Sequence, residues 1–199
     1  KLDDENGDTL WWDAMCKEMK NVRPAFEVWE KPISELPPGH QKTTGHLTFD
    51  VKMGENFRRK ARFVADGHKT KAPAALCHSS VVSRDSVRIA LTIAALNDLA
   101  ILACDIQNAH LAAECRERVW ILAGPEFGSE AGQNMTVRKA LCGLKSSGAA
   151  FRAHLADTLN AMDCRPSCAD PDVWLRPAAK PDGAECYECM LCHVDDVLC

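Results

Sequence analysis

Apolar positions recur at helical spacing in three stretches of the chain. In TLWWDAMCKEMKN (9–21), Leu10, Trp11, Ala14, Met15 and Met19 share a face and Lys17, Glu18 and Lys20 lie opposite, which predicts a short amphipathic helix. Ser83 to Ser86 offer caps for VRIALTIAALNDLA, where Val87, Ala90, Leu91, Ala94, Ala95 and Leu99 make a face wide enough to predict a buried helix. From Gly148, Phe151, Leu155, Leu159 and Met162 form a third stripe, with Arg152, His154 and Asp157 outside it. Strict alternation marks HLTFDV and RRKARFVADG, joined by the turn-like MGEN at 53–56, as a hairpin. AILACDIQNAHL (100–111) opens as an apolar strand and meets its first charge at Asp105. ERVWILAGPEFG, NMTVRKAL, DPDVWLRP and ECMLCHV read as further short strands, and KPISELPPGHQKTTG (31–45) and KTKAPAALCHSS as connections. Strands and helices mix without a strict βαβ rhythm, so the class expected is α+β.

The 199 residues, 46% apolar and 26% charged, suit an ordinary globular protein of one or two domains. The chain has no apolar run of 18 residues, and KLDDENGD lacks a basic, apolar leader, so the expectation is an intracellular protein with no membrane partner. Without an export signal the eleven cysteines read as thiols. A net charge of −4 argues against nucleic acid coating the whole surface but leaves room for one basic patch. Residues 58–71 supply it: Arg58, Arg59, Lys60, Arg62, Lys69 and Lys71 face Asp66 as the one acid. Tyr187 is the single tyrosine.

Asp105 and the adjacent Asp195 and Asp196 both interrupt apolar strands. If those strands are neighbours the carboxylates converge, and with no Lys or Arg inside either run a bound cation is the natural counter-charge. Hard oxygen donors favour Mg2+ or Mn2+, two ions in a phosphoryl-transfer site. In a straight strand Asp195 and Asp196 point to opposite faces, so sharing one site requires a tight turn, expected at 194–197. The same residues also suit plain turn positions at a strand end. Cys186, Cys189 and Cys192, with His193, invite a zinc reading, but an extended strand turns residues three apart to opposite faces.

The order of motifs adds a resemblance. WWDAMCKEMKNV, RRKARFVADGH, SVVSRDSVRIALTIAA, CDIQNAHL, ALCGLKSSGAAF, CADPDVWL and the terminal HVDDVL follow one another as their counterparts do in the polymerase of copia-type LTR retrotransposons, where the last is the YVDD box. The chain resembles that reverse transcriptase over roughly residues 10 to 199. The resemblance implies the fingers (about 9–85) and palm (about 86–199) of a right-hand polymerase, adding deoxynucleotides to a primer 3′-hydroxyl on an RNA or DNA template. Asp105, Asp195, Asp196 and the Ile106 carbonyl would hold Mg2+ or Mn2+. Lys60 and Arg62 would face the incoming triphosphate, with the alternative that they are an exposed basic edge. Arg58, Arg59, Lys69 and Lys71 would contact nucleic acid, His110 would lie under the nucleotide sugar, and Gly143 and Lys145 beneath the nascent base pair. Its partners would include the integrase and RNase H of the Pol polyprotein, in a cytoplasmic virus-like particle.

The chain departs from this pattern where His110 and His193 replace aromatics, Cys142 replaces Tyr, and Ser147-Gly148-Ala149 replaces A-P-R. Tyr to His and Tyr to Cys are single transitions, so a degenerate copy is expected. Thumb and RNase H are expected to be absent, together with the return strand of the metal-bearing hairpin. For both reasons no processive synthesis is expected, leaving a nucleic-acid-binding remnant or a pseudogene product as alternatives.

Overall fold

The computed structural model describes residues 2–71, 73 and 77–199. The loop expected at 69–80 therefore falls partly outside the described residues. In chain order come α1 (Leu2–Asn6), α2 (Leu10–Val22), β1 (Phe26–Val28), β2 (Gln41–Lys42), β3 (Gly45–Lys52) and β4 (Arg58–Ala65). α3 (Arg84–Leu96), β5 (Ala103–Asp105), α4 (Ala109–Ala112), β6 (Val119–Leu122) and β7 (Asn134–Val137) follow. α5 (Ser147–Ala161), β8 (Arg165–Pro166), β9 (Val173–Ala179), β10 (Glu185–His193) and β11 (Asp196–Leu198) complete the chain. The class is a mixture of helices and sheets, as expected, and the chain divides into two compact units. Among the described residues no helix is long and apolar enough to cross a membrane, and no disulfide joins the cysteines.

The first unit comprises residues 1–77 and 110–151. Its four-stranded sheet runs β1-β7-β6-β2, antiparallel except for the β2–β6 pair. Phe26, Phe63 and Phe127 meet edge to face in its core, with centroids 5.2–5.8 Å apart, the arrangement that the ring quadrupole favours. The hairpin of β3 and β4 pairs in full register from Gly45↔Ala65 to Lys52↔Arg58. Alternation along β4 turns Ala61, Phe63 and Ala65 inward, while Glu18 of α2 accepts the Phe63 amide at 2.9 Å.

Beyond β4, Asp66 ties the hairpin to the turn that follows. Its carboxylate accepts from Thr44 Oγ1, from Lys69 Nζ at 2.9 Å and from His46 Nδ1 at 2.9 Å. The Thr44 hydroxyl, then the Lys69 ammonium, hold its pKa down at about 2. A carboxyl depressed in the fold contributes stability above its ordinary pKa near 3.8 and loses it as pH falls through about 2. Because His46 and Lys69 are half exposed, the contribution is about 1 kcal/mol rather than the full shift. Asp66→Asn is therefore expected to lower the urea midpoint at pH 6, with the gap to the parent narrowing from pH 4 to pH 3. A gap that stays constant over that range would count against the ion pairs.

The second unit, residues 78–109 and 152–199, carries a five-stranded antiparallel sheet in the order β5-β11-β10-β9-β8. Trp174, Met190, Cys192 and Val197 point from one face into a core with Leu159 and Cys164, against Leu155 and Ala156 of α5. α3 begins where expected, with Ser83 accepting the Ser86 amide at 3.1 Å. The expectation that α3 is buried is overturned. Ala94 is its one buried residue, and Ile89, Leu91, Ile93 and Leu96 are exposed, Leu96 to 80%. Width of an apolar face shows that a helix can be covered, and among the described residues nothing covers this one. β5 differs likewise: all three of its residues are exposed, because it is the edge strand.

Candidate active site

The candidate site is built on the tip of the β10–β11 hairpin and its neighbour β5. β10 ends at His193, Val194 and Asp195 form a two-residue loop, and Asp196 opens β11. The turn thus lies at 193–196, one residue earlier than expected. Asp196 through Leu198 is the return strand that the sequence reading took to be missing. Three residues suffice for it because β11 is held on both sides, by β10 and by β5.

Register then decides which carboxylates meet. Asp196 lies opposite Asp105, Val197 opposite Cys104 and Leu198 opposite Ala103. The Ile106 amide donates to the Asp195 carbonyl at 2.8 Å, and Leu102 and Cys199 exchange both backbone bonds at 2.8 Å. Hydrogen-bonded pairs alternate with open ones, so Asp105 and Asp196 form an open pair, the kind in which facing side chains approach most closely. His193 is opposite Asp196, so His193, Asp196 and Asp105 make one row across three strands. The next row, Cys192, Val197 and Cys104, points the other way, and Cys192 and Val197 are buried in the core. Pleating therefore delivers the carboxylate row to the solvent face.

The burial argument for these carboxylates is corrected by that placement: Asp105 and Asp196 are exposed and Asp195 is half-buried. Water can solvate them, so burial does not demand a metal. What remains is the juxtaposition of like charges, unfavourable when directly opposite and unpaired. Among the described residues no ion pair joins Asp105, Asp195 or Asp196 to a Lys, Arg or His. Nor do three His, Cys, Asp or Glu side chains converge as a ready chelate. Mg2+ fits such a site, because it keeps several waters and is commonly held by one or two carboxylates together with substrate phosphates. Along β10, Cys186, Cys189 and Cys192 lie in continuous strand, which turns Cys189 and Cys192 to opposite faces.

Val194, first in the loop, has φ +58°, an outlier for a β-branched residue at a position where a two-residue hairpin normally carries glycine. Such strain costs roughly 1–3 kcal/mol and collects at functional turns. Sequence reading missed it, although Val-Asp, with no glycine, at a hairpin tip was a usable signal.

In the first unit β4 presents Arg58, Lys60 and Arg62 on one face, alternating with the buried residues. Arg58 pairs with Glu55 at 2.6 Å, and Lys60 stands opposite Asp50. Arg59 is on the other face, its guanidinium 5.3 Å from the Trp11 ring, and so stands apart from that row. Lys69 is engaged by Asp66 and Thr44, and the Lys71 amide donates to Gln41. Lys145 Nζ donates to the Thr70 carbonyl. Gly143 has φ +93°, and a Cβ there would sit 2.1 Å from the Ala65 carbonyl oxygen. Its lack of a side chain is thus required by the fold itself. The half-buried His110 ring meets Phe151 edge to face at 6.0 Å. Glu117, which no pattern singled out, is buried and accepts both the Ser146 amide at 2.8 Å and its hydroxyl at 2.9 Å, just before α5.

No curated protein matches the chain. Residues 26–198 match the family model described as reverse transcriptase (RNA-dependent DNA polymerase), which takes in the carboxylate row, the hairpin tip and the cationic strand alike, and the chain belongs to that family.

Proposed function

We propose that this chain is the fingers (about 9–85) and palm (about 86–199) segment of a copia-type retrotransposon reverse transcriptase, adding deoxynucleotides to a primer on an RNA or DNA template. The cross-strand pairing of Asp105 with Asp196, beside Asp195 in the loop, carries this reading. Asp105, Asp195, Asp196 and the Ile106 carbonyl are the groups that hold Mg2+ or Mn2+. When bound there, such ions supply the positive charge that activates the primer 3′-hydroxyl and stabilises the leaving pyrophosphate. Lys60 and Arg62 neutralise the triphosphate, and Arg58, Arg59, Lys69 and Lys71 lie along template or primer phosphates. His110 lies under the nucleotide sugar, with Gly143 and Lys145 beneath the nascent pair. The intact element would supply integrase and RNase H in the same polyprotein, within a cytoplasmic virus-like particle.

With β11 paired to both β10 and β5, the missing return strand no longer argues against catalysis, and we expect metal-dependent single-nucleotide addition. The test is extension of a DNA primer on RNA and on DNA templates with Mg2+ or Mn2+. Asp196→Asn should reduce it about a thousandfold, roughly 4 kcal/mol of barrier. Extension that persists in Asp196→Asn sinks the assignment. Arg62→Ala is expected to raise the nucleotide KM about tenfold with kcat little changed, the signature of lost ground-state binding. An unchanged KM would leave Arg62 a plain exposed edge residue.

A degenerate copy is the second reading, and His110, Cys142 and His193 favour it, each one base transition from tyrosine. Such a copy would bind nucleic acid with steep salt dependence and no metal requirement. Intact sister copies carrying His at both 110 and 193 would refute degeneracy.

A further inference from the structure

β10 loses its neighbour just before the hairpin tip. β9 pairs with it as far as Val173↔Leu191, and at Cys192 the outer edge passes to two other backbones. The Cys192 amide donates to the Asp172 carbonyl at 2.9 Å, and the Val82 amide donates to the Cys192 carbonyl at 3.0 Å. Asp170 closes these into a ring, accepting the Asp172 amide at 3.1 Å on one oxygen and the Ser83 amide at 2.9 Å on the other. Ser86 Oγ donates to that second oxygen at 2.6 Å. Three backbone segments, 82–83, 170–172 and 192, are thus joined in one hydrogen-bonded circuit.

The Asp172 side chain anchors the circuit to α5. Its Oδ1 accepts from Arg152 Nε at 2.7 Å, and the carboxylate is 4% exposed. Its Oδ2 is buried without a hydrogen-bond partner among the described residues, a cost that position must offset elsewhere. Asp172 is the buried partner, so losing Arg152 would leave its charge uncompensated, and the link resists displacement. Cys192 is one residue from His193 and three from Asp195. A shift of the Asp172 carbonyl therefore moves the base of the turn that carries the aspartates.

We propose that Asp172 is a positioning residue of the carboxylate hairpin: with Arg152 and Asp170 it fixes the outer edge of β10 at Cys192, as β5 fixes the outer edge of β11. The inference rests on the metal-binding reading of Asp105, Asp195 and Asp196. Groups that hold metal ligands in place typically change metal affinity by 10–100-fold when removed.

The experiment measures Mn2+ affinity of the full chain by electron paramagnetic resonance and amide hydrogen exchange at residues 192–197, without nucleotide or primer. Asp172→Ala is expected to weaken Mn2+ binding about tenfold and to speed hairpin exchange about tenfold. Asp172→Asn, which keeps an acceptor facing Arg152, should recover most of the affinity. Glu130→Ala breaks the Arg23–Glu130 pair of the first unit and should lower the melting temperature with Mn2+ affinity unchanged. Parental Mn2+ affinity in Asp172→Ala, or a loss no larger than that of Glu130→Ala, overturns the proposal. If Asp172→Ala does not fold, Ser86→Ala should weaken binding about two- to fivefold, and parental affinity there overturns it equally. Asp196→Asn separates the two ideas. If it leaves Mn2+ binding intact, the metal reading falls and takes this inference with it. If it abolishes binding while Asp172→Ala does not weaken it, the positioning role alone is lost.

Discussion

Gly143→Ala is expected to destabilise the first unit by about 3 kcal/mol or more. Two costs combine. The φ of +93° lies where a Cβ costs roughly 1–2 kcal/mol, and the new methyl would sit 2.1 Å from the Ala65 carbonyl oxygen. That oxygen is backbone, so relief requires moving β4 or the 142–145 loop, at about 1–3 kcal/mol more. Gly67 faces the same seam, where its Cβ would meet the Gly143 carbonyl oxygen at 2.3 Å, and the Ala65 amide donates to the Cys142 carbonyl at 2.8 Å. Gly132→Ala is the control: its φ of +86° is similar, but nothing lies within 4 Å, so only the backbone cost of roughly 1–2 kcal/mol applies. Urea unfolding of both variants distinguishes them. Equal losses would mean that the seam yields and Gly143 is free to serve another purpose.

Asp105→Asn is expected to move stability in opposite directions with and without metal. In the metal-free chain Asp105 and Asp196 face each other across an open pair with no cation beside them, so removing one charge should stabilise the fold by ~0.5 kcal/mol. The parent, saturated with Mn2+ to about a hundred times its dissociation constant, should gain about 2.7 kcal/mol that the variant forgoes. Thermal melts of the two proteins should therefore cross as Mn2+ is added, and nucleotide addition should fall about a thousandfold in the variant. A variant less stable than the parent in metal-free buffer would show that Asp105 has a structural role. A parent unmoved by Mn2+ would remove the metal from the site.

Much of the local structure was legible beforehand. The alternation in RRKARFVADG marked a strand, and β4 turns Ala61, Phe63 and Ala65 inward and Lys60 and Arg62 outward; Ser83, among the caps expected at 83–86, caps α3. The illegible parts share a cause. Gly143 could be read as a glycine that permits close approach, but that the approaching group is the chain's own Ala65 depends on a neighbour nearly eighty residues away. DPDVWLRP read as a short strand, and the partners that make Asp170 and Asp172 a circuit, Ser83, Arg152 and Cys192, come from three other segments.

By itself, then, the sequence determined what each short stretch can do: which positions form strands, which side chains share a face, and where carboxylates interrupt apolar runs. Periods of two and 3.6 residues follow from backbone geometry and need no partner. Tertiary structure alone decided that Asp105 meets Asp196 in an open pair, that β11 exists as a three-residue return strand, and that the apolar face of α3 stays exposed. Those outcomes turn on strand register and on what lies opposite. A shift of one residue exchanges the two faces of a strand, and no local pattern in CDIQNAH or CHVDDVLC records which neighbour will be there.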